Sequence, residues 1–387
     1  MQSTPPTPES WLPRRRKWSR LLEKIALGIE KPTNRLIGNY HLNPFYHTGV
    51  IALFLFIVVG LTGIYLYLFF QYGFEASYNA VQTRIEAPIL ARTVRAVHRY
   101  ASDALVVTVL LHAFRTLFME NFRGPRRLAW LTGIFMTFIL WLAGITGYWL
   151  IWDTRSQVIN DHFVDFLQQV TPFADDYVFA LTRARVTGNS WQLVFIGFLV
   201  HLGLFLIVAI FFWLHTRHLK RIRLFPPAVW MAGAGGVLVV IALLFPAGML
   251  PIADAALLPS TVRLDPIYLY YLPVESWGWA GLLWAFMWAV TALVVALPWT
   301  KWRGRSAEST QPLVKVLNDK CTGCAKCAND CPYGALTMVE RNDENSKFDM
   351  LAVADPSRCV GCGICVGSCD EFLAITLGDV APDSTWE

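Results

Sequence analysis

The sequence is short of charge. Only 16% of its 387 residues are Asp, Glu, Lys or Arg, against roughly 25% in a typical soluble domain. A chain so poor in charge cannot clothe itself in an ordinary aqueous surface. It has no cysteine before residue 321, which excludes a disulfide framework spread through the chain. No flavin or nucleotide fingerprint, no metal-hydrolase motif and no low-complexity segment is present. The first 24 residues lack an apolar core followed by a small-residue cleavage site, so no signal peptide is expected. The net charge of +5 is held in short basic clusters between apolar runs, and no nucleic-acid partner is expected from it. What fills the chain is apolar, at 55% hydrophobic residues. That is the composition of a membrane protein.

Six apolar segments are long enough to span about 30 Å of hydrocarbon. They lie near 49–70, 97–119, 129–151, 191–215, 228–249 and 277–299. The short connections rich in Lys and Arg precede the first span and follow the second, fourth and sixth, while Asp161, Asp165, Asp175, Asp176, Asp254, Asp265 and Glu275 lie in the others. By the positive-inside rule both termini face the cytoplasm of a bacterial inner membrane. Residues 14–24 alternate basic and apolar side chains and read as an interfacial helix on that inner surface. The long connection 152–190 reads as one short surface helix followed by a second near 175–183. The proline-rich stretch 250–276 reads as short pieces at the outer interface.

Four of the eight histidines fall inside apolar spans: His98 and His112 in the second, His201 and His215 in the fourth. Each pair is fourteen residues apart. Fourteen residues make about 3.9 turns, so the two side chains share a helix face about 21 Å apart. An imidazole in hydrocarbon is costly and usually functional. Two helices with equal spacing can each supply one ligand to two stacked metal centres, and imidazole on both sides of a porphyrin makes a low-potential electron-transfer haem. The plain alternative, core histidines with satisfied hydrogen bonds, accounts poorly for two equal spacings. Glycines repeat the pattern: Gly49 and Gly63 in the first span, Gly133 and Gly147 in the third, again fourteen apart. Lacking a Cβ, each lets a flat ring approach the backbone.

The segments RTVRAVHRYASDALVVTVLLHAFRTLF, LTGIFMTFILWLAGITGYWLIWD and FEASYNAVQTRI resemble the second helix, the third helix and the loop after the first helix of cytochrome b from the bc and bf quinol-oxidising complexes. The resemblance covers about residues 30–224 and continues weakly through 225–300. It implies two haems b, the outer held by His98 and His201 and the inner by His112 and His215. Arg95, Arg99 and Arg115 match basic positions near the haem propionates. Three departures stand out. Where the family carries Pro-Glu-Trp-Tyr at its outer quinol site this chain has Pro266-Ile267-Tyr268-Leu269, leaving Asp265 or Glu275 as possible replacements for the glutamate. Where the bf branch has the cysteine of a covalently bound haem, NPFYHTG places His47, which excludes that linkage. The second half has two spans where the family has more.

All eight cysteines fall in two similar sets, Cys321, Cys324, Cys327, Cys331 and Cys359, Cys362, Cys365, Cys369. Three thiolates at two-residue gaps can wrap one corner of a cubane, with the fourth ligand from the distant repeat. Structural zinc is the alternative, but this crossed arrangement suits cubanes better than tetrahedral sites. Over 316–378 the pattern resembles a bacterial two-cluster ferredoxin. That implies one [4Fe-4S] cluster on Cys321, Cys324, Cys327 and Cys369, and the other on Cys359, Cys362, Cys365 and Cys331. Asp370 stands where the family usually has proline.

The expected architecture is an all-α integral membrane bundle of six helices, cytochrome b-like, with a C-terminal α+β ferredoxin-like domain. Its parts are a cytoplasmic segment 1–48, a four-helix di-haem domain 49–224, two further helices over 225–300, a linker 301–315 and the cluster domain 316–378. The expected role is that of a membrane electron-transfer subunit of a quinone-linked oxidoreductase. It would pass electrons between two haems b, the quinone pool and cytoplasmic clusters that meet a soluble redox subunit, within a membrane complex that resemblance makes dimeric. The alternative is a quinol-oxidising cytochrome b with a Rieske-type partner. Candidate quinone-site residues are His47, Arg217, His218 and Lys220, with Arg35 and Asn39, on the inner side, and Asp265, Tyr268 and Glu275 on the outer.

Overall fold

The computed structural model describes residues 44–118, 122, 127–170, 174–217, 224–254, 256, 262, 265–273, 279–300, 313–331, 333–342, 348–355, 358–359, 365, 368–369 and 374–378, with seven scattered positions between 21 and 36. The expected interfacial helix at 14–24 and most of the 301–315 linker lie outside them, as do Arg35, Asn39, His218, Lys220, Glu275 and Cys362.

Five helices among the described residues are long and apolar enough to cross a membrane. They are α1 (Pro44–Tyr67), α3 (Ile89–Phe118), α4 (Arg127–Trp149), α7 (Trp191–Thr216) and α9 (Ala280–Ala296), the last continued by a single tight turn, Leu297–Trp299. Expectation was six. The segment near 228–249 instead forms α8 (Ala228–Leu244), an apolar helix of 17 residues. It stops early because Phe245 leaves helical geometry at φ −129°, ψ 73°, and Pro246 follows; proline cannot donate to the turn before it. Seventeen residues rise only about 26 Å.

The connections are ordered. After α1 the chain makes the short helix α2 (Phe74–Ala80) and a wide π-helical turn, Val81–Glu86. The long connection holds the two expected surface helices, α5 (Thr154–Val170) and α6 (Ala174–Thr187). Its corner is stitched to the proline-rich stretch. Asp153 pairs with Ile252 in a β-bridge, and Gln157 exchanges two hydrogen bonds with the Asp254 backbone, at 2.9 and 3.0 Å.

The long helices associate as two pairs. Helix α1 packs along α3, and α4 along α7, while α8 lies against α3. Side-chain size helps both within a pair and between them: Gly197 of α7 leaves a notch that Trp149 of α4 fills, and Gly60 of α1 one that Phe205 of α7 fills from the other pair, where an added Cβ would come within 2.3 and 2.8 Å of ring carbons.

The C-terminal unit is small and β-containing. Strand β1 (Leu313–Val316) pairs antiparallel with β4 (Ile375–Gly378), Leu313 opposite Gly378. Strand β2 (Leu336–Glu340) pairs antiparallel with β3 (Met350–Ala354), Leu336 opposite Ala354. One helical turn, α10 (Lys326–Asp330), carries Cys327. The apolar core here is largely cysteine, alanine and the inward strand residues.

Candidate redox centres

The four intramembrane histidines sit on α3 and α7, one helix of each pair, and the four glycines on their partners α1 and α4. They meet one to one. A Cβ built on Gly63 would lie 3.2 Å from Cε1 of His98, and on Gly49 3.1 Å from Cε1 of His112. On α4, Gly147 bears the same relation to His201 and Gly133 to His215, both at 3.2 Å. The glycines therefore admit the imidazole rings themselves; sequence alone suggested room for a larger flat ring. Spaces of 3.1–3.2 Å are too tight for a methyl group without displacing the histidine.

A second set of residues went unnoticed in the sequence. Each glycine is preceded by threonine, and each threonine hydroxyl meets the Nδ1 of the same histidine. Thr62 lies 3.0 Å from His98, Thr48 3.1 Å from His112, Thr146 3.0 Å from His201 and Thr132 3.1 Å from His215. Protonation follows from the other partners. Nδ1 of His98 also faces the Val59 carbonyl at 3.1 Å, and that of His201 the Ala143 carbonyl at 3.0 Å. A carbonyl only accepts, so Nδ1 carries the hydrogen and Nε2 keeps its lone pair. The Thr132 hydroxyl donates to Leu128 at 2.8 Å, which leaves its oxygen to accept from His215. This is the supporting arrangement that a metal-binding imidazole needs. Its signal in the sequence was available: the dipeptide Thr-Gly stands at all four glycine positions.

The rings of His112 and His215 face each other across the two helix pairs with centroids 6.4 Å apart. Two metal–imidazole bonds of ~2.0 Å with ring radii of ~1.1 Å come to ~6.2 Å. A separation of this size is one at which the two imidazoles could hold a single iron between them.

Among the expected propionate arginines, Arg95 and Arg99 are engaged by the chain's own groups. Arg95 pairs with Glu86 and donates to the Gly248 carbonyl at 3.2 Å. Arg99 pairs with Asp103 and with Asp265, and its guanidinium lies 5.1 Å from the Tyr148 ring centre. Arg115 lies three residues beyond His112 on α3. Asp265, buried, also accepts from the Tyr148 hydroxyl at 2.8 Å and the Ile267 amide at 2.7 Å. Next to it Tyr268 drives its ring against Gly144, where a Cβ would come within 2.0 Å, and donates to the Ser102 carbonyl at 3.0 Å. Burial raises the Tyr268 hydroxyl above the usual tyrosine range. His47, also buried, directly precedes Thr48. Arg217 stacks over Trp213 at 5.3 Å.

In the C-terminal unit Cys321, Cys324, Cys327 and Cys369 line one pocket with Met338, Ala352 and Ile375. These are the four thiols that the crossed pattern assigns to one cluster. Gly323 takes φ +68°, and a Cβ there would strike the Met350 carbonyl at 2.5 Å. Ala325 holds the same left-handed region at φ 60°. The loop thus turns twice in three residues, bringing Cys324 round toward Cys321 and Cys327. Burial, then the neighbouring thiols of Cys369, Cys321 and Cys324, pushes Cys327 up to about 12. Of the thiols expected to hold the other cluster, Cys331 and Cys365 are buried and Cys359 half-buried. The Cys331 sulfur accepts the Ala335 amide at 3.3 Å, and Ser368 donates to Asp330 at 2.6 Å, joining the residues just before Cys369 and Cys331. Among the described residues no three metal-donor side chains converge to hold a single ion.

Comparison with known proteins meets both halves. The family described as Cytochrome b/b6/petB matches residues 34–223, and the 4Fe-4S dicluster domain matches 320–371. The chain joins a cytochrome b-family domain to a dicluster ferredoxin-type domain. Cytochrome b6 of Prochlorococcus marinus (strain MIT 9515) is 32% identical over 130 residues, covering 33% of this chain and 60% of the relative. Cytochrome b6 of Synechococcus elongatus is 33% identical over 113 residues, covering 29% and 53%. The chain thus spans 60% or less of the length of these relatives. A solved chain titled "Hyperthermophilic respiratory Complex III" aligns over 69% of this chain and 78% of its own, at 19% identity and a TM-score of 0.45. The protein is a multi-pass membrane redox protein with a haem-binding cytochrome b fold and iron–sulfur, electron-transport character.

Proposed function

We propose that the chain is the membrane electron-transfer subunit of a quinone-linked oxidoreductase. His98 with His201, and His112 with His215, would hold two haems b at two levels. Cys321, Cys324, Cys327 and Cys369 would hold one [4Fe-4S] cluster; Cys331, Cys359, Cys362 and Cys365 would hold the other. Such groups supply one-electron oxidation and reduction. The chain's own contribution is to fix the imidazoles by their Thr-Gly partners and to keep water from the bundle interior. Quinone would exchange electrons at the His112–His215 level, near the buried His47, with Arg217, His218 and Lys220 beyond it. The cluster domain would lie in the cytoplasm, over the domain limits given above. There the cluster domain would meet a soluble redox subunit, and the cytochrome part would pair with a second copy.

The single observation behind this reading is the fourfold repetition of histidine, threonine and glycine at two depths. Helices in hydrocarbon tolerate one buried imidazole for packing, but four, each held against a Thr-Gly pair of a partner helix, point to ligands. The test is the composition of the intact complex purified in mild detergent. Two low-spin b-type components, about eight non-haem irons by the two-cluster pattern and a co-purifying soluble redox subunit are expected. A Rieske protein as the sole partner would instead make the chain a quinol-oxidising cytochrome b.

A further inference from the structure

Each helix that carries a fourteen-residue pair also carries a residue midway, seven from either member: Phe56 on α1, Leu105 on α3, Leu140 on α4 and Val208 on α7. Seven residues are close to two turns, so each midpoint faces the same way as its pair, about 10.5 Å from both. Leu105 and Val208 are buried, and Phe56, Leu105 and Leu140 belong to one apolar cluster. An apolar layer thus separates the two histidine levels.

One contact in this layer crosses between the helix pairs. Phe56 of α1 stacks on Phe205 of α7, ring centroids 4.4 Å apart and planes 13° from parallel. Phe205 lies one turn beyond His201 and three residues before the midpoint Val208. Its ring tip fills the notch at Gly60, where a Cβ would come within 2.8 Å. Aromatic pairs gain only about 0.5–1.5 kcal/mol beyond burial, and leucine would serve as well for packing alone. The glycine notch is cut to the ring, and it holds the stack between the levels.

We infer that the Phe56–Phe205 stack is the path by which an electron crosses between the two histidine levels. The inference rests on the two-centre reading above. One electron leaves the reduced centre at one level and the oxidised centre at the other takes it up. No bond forms or breaks, no proton moves, and neither ring is itself oxidised. Electronic coupling falls more steeply through empty space than through packed atoms, and two rings in contact fill the midpoint of the gap.

The test uses the intact protein in detergent, as wild type, as Phe205→Leu and as the double variant Phe56→Ala with Phe205→Ala. An optical redox titration first counts the b-type components and their midpoints. Fewer than two in the wild type would sink the two-centre reading itself, before any kinetics. A flash-generated deazaflavin radical then delivers less than one electron per protein. Redistribution between the components is followed as a first-order phase independent of protein concentration. That phase is expected to slow by an order of magnitude or more in the double variant, and by less in Phe205→Leu, with both midpoints unmoved. An unchanged rate in a variant that keeps both components overturns the inference. If the double variant loses a component, Phe205→Leu decides: an unchanged rate there overturns it, and a slower one at fixed midpoints supports it.

Discussion

The two ends of this chain present metal-donor side chains in opposite ways. In the bundle each histidine is held by the chain itself: its ring rests on a glycine, its Nδ1 on a threonine, and both stand on long helices. In the C-terminal unit the thiols sit on short loops between four strands of four or five residues, with one helical turn. Its buried core includes the cysteines themselves. A unit of some sixty residues with so little apolar mass is at the margin of independent folding. In one region the polypeptide makes the site, and in the other the site makes the fold. The contrast teaches where each half will fail.

The largest effect should follow iron removal. Chelation, or Cys327→Ala, is expected to unfold most of the C-terminal unit, because metal binding and folding are coupled in such domains. The b-type absorption should stay intact. Limited proteolysis together with the optical spectrum checks both halves, and loss of b-type absorption alongside the clusters would break the comparison. Next in size, His112→Ala should remove one b-type component and leave the other, with helical content by circular dichroism unchanged. A helix collapsing with its ligand would mean that the bundle, too, is made by its cofactors.

Gly147→Ala should act more mildly. Its methyl group would meet the His201 ring at 3.2 Å, so the ring must shift by a few tenths of an ångström. A broadened or displaced low-spin signal in paramagnetic resonance, with the component retained, is the expected outcome. Smaller still is the loss of one hydroxyl. A hydrogen bond accepted from Nδ1–H makes imidazole a stronger donor to the oxidised metal, so Thr→Val should raise the midpoint of the affected component. The rise should be larger for Thr48→Val than for Thr146→Val, because His201 keeps the Ala143 carbonyl at 3.0 Å as a second acceptor. Redox titration of the two variants side by side measures the difference.

A pH test sharpens the other half. Burial and neighbouring thiols raise Cys327 to about 12 from an ordinary 9.0, so the iron-free unit disfavours its thiolate. That contribution to stability is fully present below pH 9 and is lost as pH climbs through 12. Any residual structure in the iron-free unit, followed by circular dichroism, should therefore melt on the alkaline side. A fold insensitive across that window would mean Cys327 is solvated.

Much of this was legible in the sequence. The fourteen-residue spacings located the histidines and glycines because an α-helix has a fixed rise, so periodicity along the chain becomes depth in the membrane. The cysteine sets were legible because their spacing is set by the reach of three thiolates in one loop. The threonines were passed over because a hydroxyl in a membrane helix ordinarily bonds its own helix, as Thr108 does to Ala104 at 2.7 Å. Only tertiary packing shows which hydroxyls also serve a neighbour. The sixth crossing was overcounted because the apolar run near 228–249 continues past Phe245 and Pro246, where hydropathy says nothing of backbone geometry. Asp265 could not be weighed from sequence either. Its partners Arg99 and Tyr148 lie 166 and 117 residues away.

The pairing of α1 with α3 and of α4 with α7 also sets an order of events during synthesis. The first pair, with His98 and His112, is complete in the membrane once Phe118 has been translated. Their opposite numbers, His201 and His215, are still unmade at that moment. On the two-haem reading proposed above, no centre could close until the ribosome has passed His201, and the nascent chain would carry two open half-sites until then. On that reading, insertion of each haem would fasten two separately formed pairs of helices, which would make it a late step of assembly and also a checkpoint on whether the second pair arrived.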